Sequence, residues 1–284
     1  QEDIRSMNLL GTVEIIRSLN MEDLKAYYAQ SMNPSLARIN MVGAIGQEEV
    51  IKSLNTLENQ WQQMEVSPIM ISDPEAFEET ALYFYDVPNA KQSMIYLGYP
   101  ALAETDADHY PAYVMNYILG GGGFASRLTQ ELRVEKGYTY GIRSEFSGTG
   151  YRGPFSISTS VQSKITLEAA QSIQRIVKEY GNSFTEADLA TTKGFLIKSN
   201  ARSFESARAK LNYLDKMGRY SWSSDFIREQ EAIVKDMSIE MIEALAETYL
   251  DLDQMVWLVV GDANSQMKRI KELGVGEPVL LNSN

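Results

Sequence analysis

The chain has 284 residues, 44% hydrophobic, 10% aromatic and 23% charged, a globular composition that excludes a disordered or collagen-like polymer. Its 38 acidic against 26 basic residues give a formal charge of −12, no run approaches 18 apolar residues, and Gln1 to Arg5 lack the basic and apolar regions of a signal peptide; neither nucleic-acid binding nor membrane insertion is expected. Cysteine is absent and histidine occurs once, as His109, which excludes disulfides, iron–sulfur clusters, thiolate zinc sites and any mechanism needing two imidazoles.

In chain order, the first feature is the C-terminal quarter of one copy of an internal repeat. Ile15 to Leu24 matches Ile233 to Ile242 at an offset of 218 residues; Ala26 then falls on Ala244 and Ile39 to Gly43 on Trp257 to Gly261. One inserted residue later, Ile51 to Leu54 meets Ile270 to Leu273. Chance similarity of helix and strand patterns is the alternative. Both copies predict the same unit: an N-cap (Asn20 or Ser238), an amphipathic helix, a short apolar strand ending in glycine (Gly43 or Gly261), and a further helix. Residues 1–64 are therefore expected to be the C-terminal remnant of a preceding domain, 65–78, with Pro68 and Pro74, a linker, and 79–284 a complete domain.

Within that domain, Thr80 to Asp86 and Gln92 to Gly98 flank the turn signal Pro88-Asn89 and predict paired strands. Pro111 suits the first turn of a helix running to Leu119, which Gly120 to Gly123 end. A second helix is predicted from Ala125 to Lys136, stopped by a left-handed cap at Gly137. Strands are expected over Thr139 to Phe146 and Pro154 to Val161, joined by a Gly-rich turn. Helices follow from Thr166 to Leu250, punctuated at Gly181-Asn182, Ser203 and Ser221, and a last strand, Gln254 to Val260, leads into a last helix. The fold class that results is α+β, a sandwich of helices packed on one face of a largely antiparallel sheet.

Two groups of residues could carry chemistry. The run Gly120, Gly121, Gly122, Gly123 could cradle a phosphate, but a P-loop needs a preceding strand and a following Lys-Ser/Thr, whereas here a helix precedes and Phe124-Ala125 follows. A plain helix-to-helix turn is the simpler reading. Arg133 and Tyr140 bracket Gly137, so a guanidinium and a phenol could converge across that corner and donate to a peptide carbonyl or to the oxyanion formed on its attack. The same two residues also read as a cation at a helix C-terminus and an aromatic in a half-buried strand. His109, beside Asp106 and Asp108, is expected to be an exposed histidine at a helix start, since zinc would need three protein ligands.

The run Leu119-Gly120-Gly121, then Ser126-Arg127-Leu128, Glu131-Leu132-Arg133 and Gly137-x-x-Tyr140 resembles the signature of the C-terminal domain of the M16 zinc metallopeptidases, the pitrilysin, insulinase and mitochondrial processing peptidase family. Residues 13–54 are similar to the tail of one such domain and 79–284 to a whole one. The resemblance implies an M16 peptidase-like α/β sandwich and the non-zinc half of a peptidase. In that family the other half holds zinc through an inverted H-x-x-E-H motif, which nothing here matches. It further implies that Arg133 and Tyr140 bind substrate and the transition state, that Gly120 to Gly123 form a substrate-binding loop, and that this chain holds no metal or other cofactor. Zinc would then sit in a partner half, on the same polypeptide or a separate subunit, and the substrate would be an extended peptide. The chain alone is expected to be inactive, the alternative being a catalytically inactive M16-fold structural or interaction module. For the compartment, fold-level analogy alone points to a bacterial cell envelope.

Overall fold

The computed structural model describes residues 7–61, 71–74, 77, 79–202 and 204–281. In chain order its longer elements are helices α1 (Val13–Ser18), α2 (Met21–Ser31) and α3 (Gln47–Gln60), strands β1 (Ala81–Asp86) and β2 (Gln92–Pro100), and helix α4 (His109–Asn116). There follow the short helix α5 (Arg127–Thr129), β3 (Ile142–Phe146), β4 (Pro154–Gln162), then α6 (Thr166–Ser183), α7 (Glu186–Arg202), α8 (Ala207–Tyr220), α9 (Phe226–Asp236) and α10 (Ile239–Tyr249). The chain closes with β5 (Val256–Gly261), α11 (Ala263–Ile270) and β6 (Val279–Leu281).

These elements form two compact units. The described residues of Gln1–Asp73 group with Ser203–Trp222, so α8 belongs with the segment 1–64 rather than with the rest of 79–284. Pro74–Arg202 and Ser223–Asn284 make the second unit. Most of the predicted linker 65–78, and the predicted break at Ser203, lie outside the described residues.

The second unit is an α+β domain on one six-stranded sheet, ordered β3-β4-β2-β5-β1-β6. β2 runs antiparallel to both β4 and β5, and β3 to β4, while β1 is parallel to β5 and β6. Alternate residues explain the layering. Leu82, Phe84, Ile95, Leu97, Phe155, Ile157, Trp257 and Val259 all point to one buried face, where they meet α4, α6, α10 and α11. Helix α6 is built for that face: Ala169, Ala170, Ile173, Ile176 and Val177 recur at helical spacing and are buried. Among the described residues no helix is long and apolar enough to cross a membrane.

Several predicted boundaries shift. Gly181-Asn182 does not break the helix: α6 continues through both and ends at Ser183. The strand predicted from Thr139 begins only at Ile142, because the Thr139 hydroxyl donates to the Gly141 carbonyl and accepts from the Gly141 N–H, closing a local turn. β6 has no counterpart in the sequence reading. Its three residues carry no alternation, and parallel pairing with β1 is what makes them a strand.

In the first unit, the strand predicted to end at Gly43 is absent. Residues 37–46 are irregular, having no partner strand among the described residues of their unit. A strand's N–H and C=O groups need neighbouring strands to satisfy them.

Candidate functional site

The glycine run and the Arg133/Tyr140 corner all fall in the second unit, between α4 and β3. Here the chain departs from regular helix twice. After Asn116, α4 widens into a π-helical stretch, Tyr117–Gly121, and α5 passes directly into another, Gln130–Glu135. The helix predicted from Ala125 to Lys136 is thus a 3₁₀ turn (Gly123–Ala125), one α-turn and a π-segment. Such widened turns are frequent at functional sites.

Packing accounts for much of the glycine run. A side chain on Gly120 would lie 2.6 Å from the Ser144 backbone nitrogen and 2.9 Å from Leu128, so only glycine lets the chain lie against β3. Asn116, buried at the end of α4, pins the same contact: its Nδ2 donates to the Ser144 carbonyl at 2.8 Å and its Oδ1 accepts from the Ser144 hydroxyl. Gly123 has φ +57°, the left-handed region, and turns the chain into the next segment. The N–H groups of Gly122, Ala125 and Ser126 all bond to carbonyls of the loop or the preceding turn, which removes them as donors to a phosphate.

Two arginines follow, and they are used differently. Arg127 is engaged through both terminal nitrogens. It donates to the Ser183 carbonyl at 2.6 Å, to Asp188 at 2.8 Å and to the Ser183 hydroxyl, and it lies 5.1 Å from the centre of the Tyr180 ring. Burial disfavours ionising Asp188, but hydrogen bonds from Thr185 and Arg127 outweigh it and hold the carboxyl below its ordinary value. Arg127 therefore ties α5 to α6 and α7. Its part was not read from the sequence, where it appeared only within Ser126-Arg127-Leu128; the Thr185-x-x-Asp188 capping pattern was the available signal.

Arg133 is exposed, in the last turn of the second π-segment, with its guanidinium 4.6 Å from the centre of the Phe124 ring. Among the described residues it makes no hydrogen bond and no ion pair. Gly137 has φ +62°, the left-handed cap read from the sequence, and the Tyr138 N–H reaches back to the Leu132 carbonyl at 2.7 Å. Beyond it Tyr140 is 94% exposed. The reading of Tyr140 as an aromatic filling a half-buried strand is thereby overturned, since the residue precedes β3 and packs on no core. No hydrogen bond joins Arg133 to Tyr140. Instead the structure joins Arg133 to the glycine loop, through Phe124.

His109 corrects another expectation. It opens α4, but its side chain is only 12% exposed and its Nε2 lies 3.7 Å from Glu104. The turn before it, closed by the Ala103 N–H on Asp106 and the His109 N–H on the Asp106 carbonyl, sets the imidazole beside that carboxylate. Among the described residues, no group of three His, Cys, Asp or Glu side chains is placed to hold a metal ion. The described side chains do not fit zinc.

A family model described as the peptidase M16 inactive domain matches residues 18–196. A Helicobacter pylori protein named as a non-peptidase homolog is 25% identical over 260 residues, covering 89% of this chain and 58% of that protein. An uncharacterized zinc protease of Streptomyces coelicolor is 25% identical over 215 residues, 73% of this chain and 46% of that one. The crystal structure of a peptidase M16 inactive domain from Pseudomonas fluorescens shares the fold, with a TM-score of 0.79 at 24% identity over 89% of this chain and 60% of that one. The chain thus spans 46% to 60% of the length of these relatives. The match across 18–196 places this chain in the peptidase M16 inactive-domain family.

Proposed function

We propose that this chain acts as the non-zinc half of an M16-type metallopeptidase, binding an extended peptide and stabilising the transition state of a hydrolysis whose zinc lies in a separate half. One observation carries the reading: Arg133 and Tyr140, on either side of the Gly137 corner, present hydrogen-bond donors that no described residue engages, whereas both terminal nitrogens of Arg127 nearby are engaged. A guanidinium offers donors in a planar fork and a phenol offers one more. Aimed at a scissile carbonyl, they would strengthen their bonds as its oxygen becomes an oxyanion, which lowers the barrier rather than only tightening binding. Gly120 to Gly123, linked to Arg133 through Phe124, would flank the peptide. With no group of side chains placed to hold a metal ion among the described residues, the chain alone is expected to be inactive.

A second reading has a specific observation in its favour. The Helicobacter pylori relative is named as a non-peptidase homolog, which supports a structural or interaction module of the same fold. Mixing the chain with an M16 half that carries H-x-x-E-H, and following an internally quenched peptide, separates the two. Hydrolysis in the mixture alone, abolished by a chelator, is expected for the first reading. Stable assembly without hydrolysis would favour the module.

A further inference from the structure

The sequence reading gave Phe124 no role, and the structure supplies one. Phe124 is a large aromatic left 60% exposed at the end of the glycine run, so burial does not explain its place. Its backbone is nevertheless fixed. The left-handed turn at Gly123 delivers it, the Ser126 hydroxyl holds the Gly123 carbonyl at 2.7 Å, and the Gln130 side-chain amide donates to the Phe124 carbonyl. Gln130 opens the π-segment in which Arg133 lies. The element that anchors Phe124's backbone is therefore the one whose arginine its ring meets, at 4.6 Å.

We propose that Phe124 is the positioning residue for Arg133: its ring takes one face of the guanidinium, restricts the side chain to a narrow set of orientations, and leaves the N–H edge available for a peptide oxygen. A cation–π contact suits this purpose better than a carboxylate. An ion pair would engage the donors, as Asp188 and Ser183 engage those of Arg127, whereas a ring attracts the charge without accepting along the N–H edge. The glycine run then acts as the hinge that brings an aromatic back over an arginine nine positions later. This rests on the substrate-binding reading of Arg133 given above.

The test uses the chain assembled with a zinc-bearing M16 half and an internally quenched peptide, with Phe124→Leu, Phe124→Tyr and Arg133→Ala each alone, and Phe124→Leu combined with Arg133→Ala. Phe124→Leu is expected to lower kcat/KM about two- to five-fold, the range of an exposed cation–π contact, with Phe124→Tyr restoring it. In the Arg133→Ala background Phe124→Leu should have no further effect. On the chain alone, NMR should show ring-shifted Arg133 side-chain protons that persist in Phe124→Tyr and return to ordinary positions in Phe124→Leu. An equal loss from Phe124→Leu with and without Arg133, or no loss while Arg133→Ala still impairs turnover, would overturn the proposal and leave the substrate-binding reading standing. If Arg133→Ala itself leaves turnover intact, the underlying reading fails and this one with it.

Discussion

The two copies of the repeat separate what a sequence dictates locally from what its neighbours dictate. α2 and α10 start and end at equivalent residues, 218 apart, and each is capped by the predicted side chain: Asn20 accepts from the N–H groups of Glu22 and Asp23, Ser238 from that of Met241. The 3₁₀ turns after them, Pro34–Leu36 and Leu252–Gln254, also coincide. Beyond this the copies diverge. Leu24 is 53% exposed and its counterpart Ile242 fully buried; Ile39 is 53% exposed and its counterpart Trp257 is buried in the core. Val256–Gly261 pairs with β1 and β2, while the equivalent residues of the first copy form no strand. Helices, caps and tight turns follow from a few consecutive residues, but strands and burial need partners distant in sequence.

The sharpest way to break that comparison is to shorten equivalent side chains. Ile242→Ala should destabilise the chain by about 2–5 kcal/mol, the range for a buried aliphatic, and Leu24→Ala should stay within about 0.5 kcal/mol. Denaturant unfolding measures both, and equal losses would contradict the account. Next in size is Gly120→Ala. Its new methyl would press on β3, so a loss of about 1–3 kcal/mol is expected in the same assay. The caps should behave alike, because they are local: Asn20→Ala and Ser238→Ala are each expected to lower stability by about 1 kcal/mol, read from helix content against temperature.

The smallest effect concerns Asp188, whose capping bond to Thr185 is local and whose pair with Arg127 is tertiary. Its folded pKa is lowered, so its contribution is complete above the unfolded value of about 3.9 and is lost as pH falls through the folded one. Asp188→Asn should lower stability at neutral pH by under about 1 kcal/mol and shrink the loss on acidification. A steeper acid loss in the variant would reverse the assigned sign.

The same division explains what was legible. β1, β2, β4 and β5 were read within a few residues because each is a run rich in aromatic, β-branched or other apolar residues, and Gly137 because a left-handed cap has a residue-level signal. β6, the two π-segments and the passage through Gly181-Asn182 were not, since each depends on contacts rather than composition. At the site, Arg133 and Tyr140 were visible as residue types at a spacing. The engagement of Arg127 with Ser183 and Asp188, and of Phe124 with Arg133, required side chains from distant positions to meet.

The phenol at the Gly137 corner offers the most direct measurement. In the chain assembled with a zinc-bearing half, Tyr140→Phe removes one donor and no packing, given its 94% exposure. Turnover should fall by about 10² to 10³ with KM little changed, as for loss of one oxyanion donor. An unchanged kcat, or a loss confined to KM, would contradict the role assigned to this corner.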